Sequence, residues 1–470
     1  MSAVLLSVLT CLVLGHLVDA GLLGDPGRGW IERVGRALML GLGAAGAVSM
    51  LLDASGVPVR PLGMGVALVV LALLLLPSAR KAWRARSPAE EDVEGPMPRG
   101  AKLAGVGLLV FAGLSLGQAV WAGFVRPVFQ FDSLTRWMFK AKALALDGTL
   151  LGPLSTDPAF ALTHQRYPPL VCHVSNLPAI FSGGFDDTAA QAMYPWFAVA
   201  LAAVLYGVLR RRAGLLPAAL GAAWVASLPL ISYVRGPPPG AGAASAMADI
   251  PLGLFAAGAA FALVDALDGR RNRAHLETGL LLAFAALTKN EGLPLLAITV
   301  VAACVFAPRA RLRRALGIAI VAAGLYWLLW GRIAAGLPAL DEHYPGRLNL
   351  AALMDGLGRL PVVLLSFSEE MISFRMWNLT WPAIVVFLVL GRMNRAVGAL
   401  LFVLVLQMAS YVYAFVITAW TSPAAAAGGG DVDPVVYLIG LTLGRLLLHV
   451  APIGIAAALL CSPRLTRTSG

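Results

Sequence analysis

Short polar segments interrupt an otherwise apolar chain, and they hold most of the residues fit for chemistry. In FDSLTRWMFKAKALALDG, Asp132, Arg136 and Lys140 follow one another by four, while Leu134, Trp137, Met138, Ala141 and Leu144 recur at helical spacing. That is an amphipathic helix suited to an interface, apolar side down and charged side up. Asp132 stands at its start, where a carboxylate caps the helix and pairs with Arg136 or Lys140. The alternative is a general base held at the membrane surface beside cations that bind an anionic substrate. In THQRYPPL, His164, Arg166 and Tyr167 come together before Pro168 and Pro169, which force extended backbone. A loop histidine of this kind is more often a hydrogen-bonding residue than a catalyst.

Further carboxylates and cations sit at the ends of apolar runs. Asp249, in ADIPL, is either a helix start or a membrane-mouth acid. TKNEG breaks a long apolar stretch with Lys289 and Glu291, and charged residues at such depth are functional candidates unless they only shape a turn. GRLLLHVAP carries Arg445 with His449 one turn on; the arginine either snorkels to lipid phosphate or binds a substrate phosphate. Asp186 and Asp187 read as helix capping ahead of metal binding, because no second cluster has ligand spacing. Glu369, Glu370 and Arg375 read as a solvated face.

Composition defines the scaffold around these residues. The chain has 470 residues, 59% hydrophobic and 13% charged, with mean hydropathy +0.79. Soluble domains carry roughly a quarter charged residues, so a water-soluble enzyme is excluded. The apolar residues fall in blocks of about 20, enough to cross a bilayer as helix. The expectation is an all-α polytopic membrane protein with about thirteen spans, near 3–23, 37–55, 61–79, 103–125, 192–209, 214–233, 250–267, 277–289, 293–308, 315–336, 376–391, 396–420 and 442–461. The first block lacks a basic n-region and carries His16 and Asp19, which favours a span over a cleaved signal. The segment from Pro338 to Trp377 reads as too polar for a span and apolar enough to lie along the interface. Cys11, Cys172, Cys304 and Cys461 are scattered, so no disulfide is indicated.

The net charge of +11 is not one patch, so no nucleic-acid partner is implied. Basic clusters recur in alternate short connections: Arg28 to Arg36, Arg80 to Lys102, Arg210 to Arg212, Arg270 to Arg273, Arg309 to Arg314, Arg392 with Arg395, and Arg464 with Arg467. The positive-inside rule places these in the cytoplasm, with the N-terminus outside and the C-terminus inside. The chemistry-bearing segments then face outward, the first of them a long loop over 126–190. The division is a three-span region over 1–86, a polar Pro/Gly-rich linker over 87–102, a transmembrane domain over 103–461 and a tail over 462–470.

The order of these features resembles the GT-C superfamily of membrane glycosyltransferases, which includes protein O-mannosyltransferases and the lipid A aminoarabinose transferase. The resemblance covers roughly 103–461. It rests on Asp132 right after a span, the WMFKAKAL helix, HQRYPPL, ADIPL at a span mouth, TKNEGL between short spans, and the closing GRLLLHVAP. It implies a sugar donor on a polyprenyl phosphate and an envelope glycan, lipid or protein acceptor, at the outer face of a bacterial inner membrane. Asp132 and Asp249 would be the catalytic acids, and Arg136, Lys140, Lys142, His164, Arg166, Tyr167, Lys289, Glu291 and Arg445 the substrate contacts. No cofactor or metal site is implied. Ser133 departs from the pattern, since many relatives carry a second acidic residue there. The alternatives are a transporter or flippase for lipid-linked cargo, and a noncatalytic partner in polysaccharide assembly.

Overall fold

A computed structural model describes residues 1–24, 29–84, 97–232, 242–271, 273–308, 312–337, 348–418 and 434–462. Among these the regular structure is helical, with no strand. The principal helices are α1 (Ser2–Leu23), α2 (Trp30–Ala54), α3 (Pro61–Arg84), α4 (Arg99–Val125), α5 (Phe139–Asp147), α6 (Leu170–Ser182), α7 (Asp187–Ala213), α8 (Leu215–Ser227) and α9 (Asp249–Asp268). They continue with α10 (Ala274–Thr288), α11 (Gly292–Phe306), α12 (Leu316–Gly336), α13 (Leu350–Ile372), α14 (Thr380–Leu390), α15 (Arg395–Ile417), α16 (Val435–Leu448) and α17 (Ala451–Cys461).

Among the described residues nine helices are long and apolar enough to cross a membrane, or ten if α16 and α17, bent by 47° at their junction, count as one span. The chain is thus an all-α membrane protein, with fewer full-length spans than the thirteen expected. The shortfall lies in α8, α10, α11 and α14, which have 11 to 15 residues. At 1.5 Å per residue such helices fall short of a roughly 30 Å hydrocarbon core. In the opposite direction, the stretch expected to lie along the interface contains α13, 23 residues that pass the same test. Its charged residues stand apart, Asp355 and Arg359 in the first half and Glu369 and Glu370 near the end, with an uncharged, largely apolar run over 360–368 between them. Residues 85–96 (most of the linker expected over 87–102), most of the segment before α13 and the tail beyond Ser462 lie outside the described residues, and the end of that linker, from Arg99, is already part of α4.

One core cluster runs from Val4 to Cys461, so the first two helices pack into the main bundle. Gly15 and Gly41 let these two helices meet each other: a Cβ at either would strike the backbone of the facing helix, at Ala37 and Cys11 respectively. Small residues of this kind let membrane helices approach backbone to backbone. Helix α3, by contrast, is 11% buried and α4 17%, which leaves their apolar sides for lipid.

The α9–α10 hairpin crosses the bundle, and buried charge collects at both of its ends. At the end holding its turn, Arg36 from α2 pairs with Asp19 (2.6 Å) and Glu277, while Arg211 and Arg212 from α7 pair with Asp265 (3.2 and 2.6 Å). Arg211 also holds Glu32, Arg212 holds Asp268 (2.7 Å), and Arg271 bridges Asp265 and Glu277. Three of the basic clusters read as loop charges therefore meet at one end of the bundle, each bound to acids. Buried arginines tolerate this environment only when paired in this way.

Candidate functional site

The opposite end of the hairpin carries the candidate site. Asp249 is the first residue of α9, and Lys289 comes directly after the last residue of α10 in extended backbone. The turn into α11 is closed by Gly292, whose missing Cβ would collide with the Ala285 backbone. Three residues of TKNEG thus reverse the chain within one tight corner, which explains the polar break in that apolar stretch. The kink between α16 and α17 brings His449 against α9, and Gly253 one turn along leaves room for the Leu448 carbonyl.

Asp132 reaches this cluster from the segment after α4. It stands at the head of a π-helical turn, Ser133–Met138, and makes no capping hydrogen bond. Its Oδ2 instead accepts from Arg445 Nη1 at 2.6 Å, and its Oδ1 lies 3.6 Å from Arg136 Nε. The Ser133 hydroxyl donates to the Ser245 carbonyl, tying this turn to the segment before α9. The π turn also breaks the expected row of charges, because its extra residue rotates α5 about its axis. Lys140 consequently turns inward, 2% exposed, and donates to the carbonyls of His164 and Tyr167 at 2.8 and 2.9 Å. Of the apolar stripe, Trp137, Met138, Ala141 and Leu144 are buried in the protein core rather than laid on lipid, and only Leu134 is exposed.

From Asp132 the charges run as one network. Arg445 Nε donates to Asp249 Oδ2 at 3.0 Å, and Asp249 Oδ1 takes Lys289 Nζ at 2.8 Å and His449 Nε2 at 3.0 Å. Lys289 also pairs with Glu291 at 3.0 Å, and Glu291 Oε2 accepts from the Tyr167 hydroxyl at 3.0 Å. His449 Nδ1 faces the Tyr411 hydroxyl at 3.0 Å. With the proton on Nε2, the imidazole donates to Asp249 and accepts from Tyr411, so both contacts are satisfied by a neutral ring.

The expected site residues divide by position. Asp132, Arg136, Tyr167, Asp249, Lys289, Glu291 and Arg445 converge. Arg166 does not: its Nε and Nη2 both donate to the Leu337 carbonyl, at 3.0 and 2.9 Å. Lys140 holds backbone, and Lys142 is exposed. His164 contributes its carbonyl to Lys140 and its ring edge-on to Tyr167. Its φ of 49° is a left-handed conformation that costs a non-glycine residue about 1–2 kcal/mol. The two residues that the sequence pattern did not enlist are His449 and Tyr411. His449 is four residues beyond Arg445 and hence on the same helix face, a usable signal; Tyr411 on α15 carries none. Asp186 caps α7, accepting from the Thr188 and Ala189 amides.

Exposure sets the roles open to the carboxylates. Asp249 is 3% exposed and receives three donors, which suits it to hold Arg445, Lys289 and His449 in register. Asp132 is 19% exposed, with one strong partner. Partial burial alone would raise its carboxyl, but the guanidinium groups of Arg445 and Arg136 outweigh that and hold it below its ordinary value. The accessible side of the cluster therefore offers one ionised carboxylate next to two arginines, the parts needed to bind an anion and accept a proton beside it. Among the described residues no group of three or more His, Cys, Asp or Glu side chains is arranged to hold a metal ion. Comparison with protein-family models, with curated proteins and with solved structures finds no match for this chain.

Proposed function

We propose that this chain is a membrane glycosyltransferase of GT-C type. It moves a sugar from a polyprenyl-phosphate donor to an envelope glycan, lipid or protein acceptor at the outer face of a bacterial inner membrane. The observation that carries this reading is the Asp132–Arg445 pair, set on the Asp249, Lys289 and His449 platform. A lipid phosphate is already a fair leaving group, so the work falls to cations that stabilise the charge growing on it. Arg445 and Arg136 supply that charge. Asp132 accepts the proton of the acceptor hydroxyl as its oxygen attacks the anomeric carbon opposite the departing phosphate, which inverts that carbon. Asp249, itself fixed by Lys289 and His449, holds Arg445 in place.

The test is sugar transfer by the purified protein in nanodiscs, given a panel of labelled polyprenyl-phosphate sugars and crude envelope acceptor. Transfer or donor hydrolysis lost in a folded Asp132→Asn variant supports the reading; no turnover with any donor refutes it. A second reading, a flippase for lipid-linked cargo, is favoured by the α16–α17 bend, since broken helices beside ionisable residues are a transporter trait. It requires movement of labelled lipid between leaflets with no transfer.

A further inference from the structure

The cluster at rest is balanced: Arg136, Lys289 and Arg445 face Asp132, Asp249 and Glu291, three cations against three carboxylates. An arriving phosphate therefore meets arginines that are already engaged. The engagement is uneven, however. Asp249 is buried and takes three donors, whereas Asp132 is partly exposed and meets Arg136 only at 3.6 Å. The Arg136 Nε is moreover buried without a hydrogen-bond partner. The Asp132 carboxylate takes one bond from Arg445 and leaves the Arg136 Nε unsatisfied; a tetrahedral phosphate, with oxygens in more directions, suits both.

We infer that Asp132 is the resident occupant of a phosphate seat formed by Arg445 and Arg136, and that the donor's phosphodiester displaces it, so that donor binding itself releases the base. This rests on the function proposed above. The groups facing Asp132 are Arg136 from its own turn, Arg445 from α16 and Asp249 from α9, with Lys289, Glu291 and His449 behind. Once phosphate takes the two arginines, Asp132 loses the cations that favour its charged form and keeps Asp249 as a like charge, so its affinity for a proton rises. The donor then has to bind before the acceptor can be deprotonated.

The transfer step balances. The acceptor oxygen forms a bond to the anomeric carbon, the bond from that carbon to the phosphate oxygen breaks with its electron pair on the phosphate, and the hydroxyl proton passes to Asp132. Neutral Asp132 no longer competes for Arg445, so the lipid phosphate stays until that proton leaves to water. The carboxylate then reclaims the arginine and the product departs.

The test is binding rather than catalysis, and it needs neither the sugar nor the acceptor. Farnesyl methyl phosphate, a diester that keeps one charge between pH 5 and 8, is titrated against full-length protein in nanodiscs. Wild type is expected to bind more tightly as pH falls across that range. Asp132→Asn is expected to bind about tenfold more tightly than wild type at pH 8, as removing one competing charge-assisted bond implies, and to lose the pH dependence. Arg445→Gln should weaken binding by about tenfold or more. The wild-type pH series tests the inference even if Asp132→Asn does not fold. A folded Asp132→Asn that binds no better than wild type, or a flat wild-type profile, overturns the exchange while leaving the glycosyltransferase reading open. If neither protein binds the diester, the phosphate site falls and the inference with it.

Discussion

Arg445→Gln probes the cluster most directly, because among the described residues its one guanidinium joins two carboxylates, Asp132 and Asp249. It gives up two charge-assisted hydrogen bonds, at 2.6 Å to Asp132 and 3.0 Å to Asp249. The Asp249 half is shielded from water and is worth about 3 kcal/mol, while the Asp132 half is 19% exposed and screened to about 1 kcal/mol. The sum, about 4 kcal/mol, agrees with the roughly 3–5 kcal/mol for breaking a buried pair from one side. Asp132→Asn alone should cost about 1 kcal/mol. Because the same bond cannot be lost twice, the double variant should be about 1 kcal/mol less destabilised than the two singles added together. Unfolding by SDS in mixed micelles measures all three variants. The reasoning fails if Asp132→Asn proves costlier than Arg445→Gln, or if the cycle is additive within about 0.5 kcal/mol.

The same geometry sets other outcomes. The Asp132 carboxyl is held below its ordinary 3.8, so its stabilising share is complete above that value and is lost as pH falls through the lower folded value; Asp132→Asn should remove that part of the acid transition in a pH-unfolding series. Gly292→Val should prise α11 from α10 at a cost of about 1–3 kcal/mol and move Lys289, abolishing transfer in protein that still elutes as a folded species. Glu277→Gln removes the carboxylate shared by Arg36 and Arg271 and should cost about 3 kcal/mol, and adding Arg36→Met should restore part of it; thermal unfolding in one detergent ranks the two.

How much of the fold and the site is legible in the sequence depends on whether a signal is local. Apolar blocks and their punctuation disclose an all-helical membrane chain, and polar breaks at helix mouths mark Asp132, Asp249, Lys289 and Arg445 before their convergence is seen. The π turn after Asp132 is not legible, since a four-residue rhythm fits an α-helix equally well. Lys140 and Arg166 escape the sequence pattern for that reason and because backbone carbonyls leave no trace in side-chain patterns. The short helices α8, α10, α11 and α14 read as spans because hydropathy reports composition, not where a chain turns. The second charge layer is hidden for a different reason. Its acids come from places far apart in the sequence, and its arginines match the pattern of loop charges, so only the folded chain discloses that they belong together.

That layer also dictates an order of assembly. Asp19 lies 17 residues before Arg36, and Glu277 lies 241 residues after it. Of the two carboxylates that hold Arg36 in the folded chain, only Asp19 is already made when α1 and α2 enter the bilayer. The close backbone contact through Gly15 and Gly41 brings the two helices together as a hairpin that is electrically neutral at this point, before any of the site has been made. Glu277 arrives only with α10, the same helix that delivers Lys289. Arg36, paired first with Asp19, thus becomes, later in synthesis, the anchor on which the α9–α10 hairpin docks.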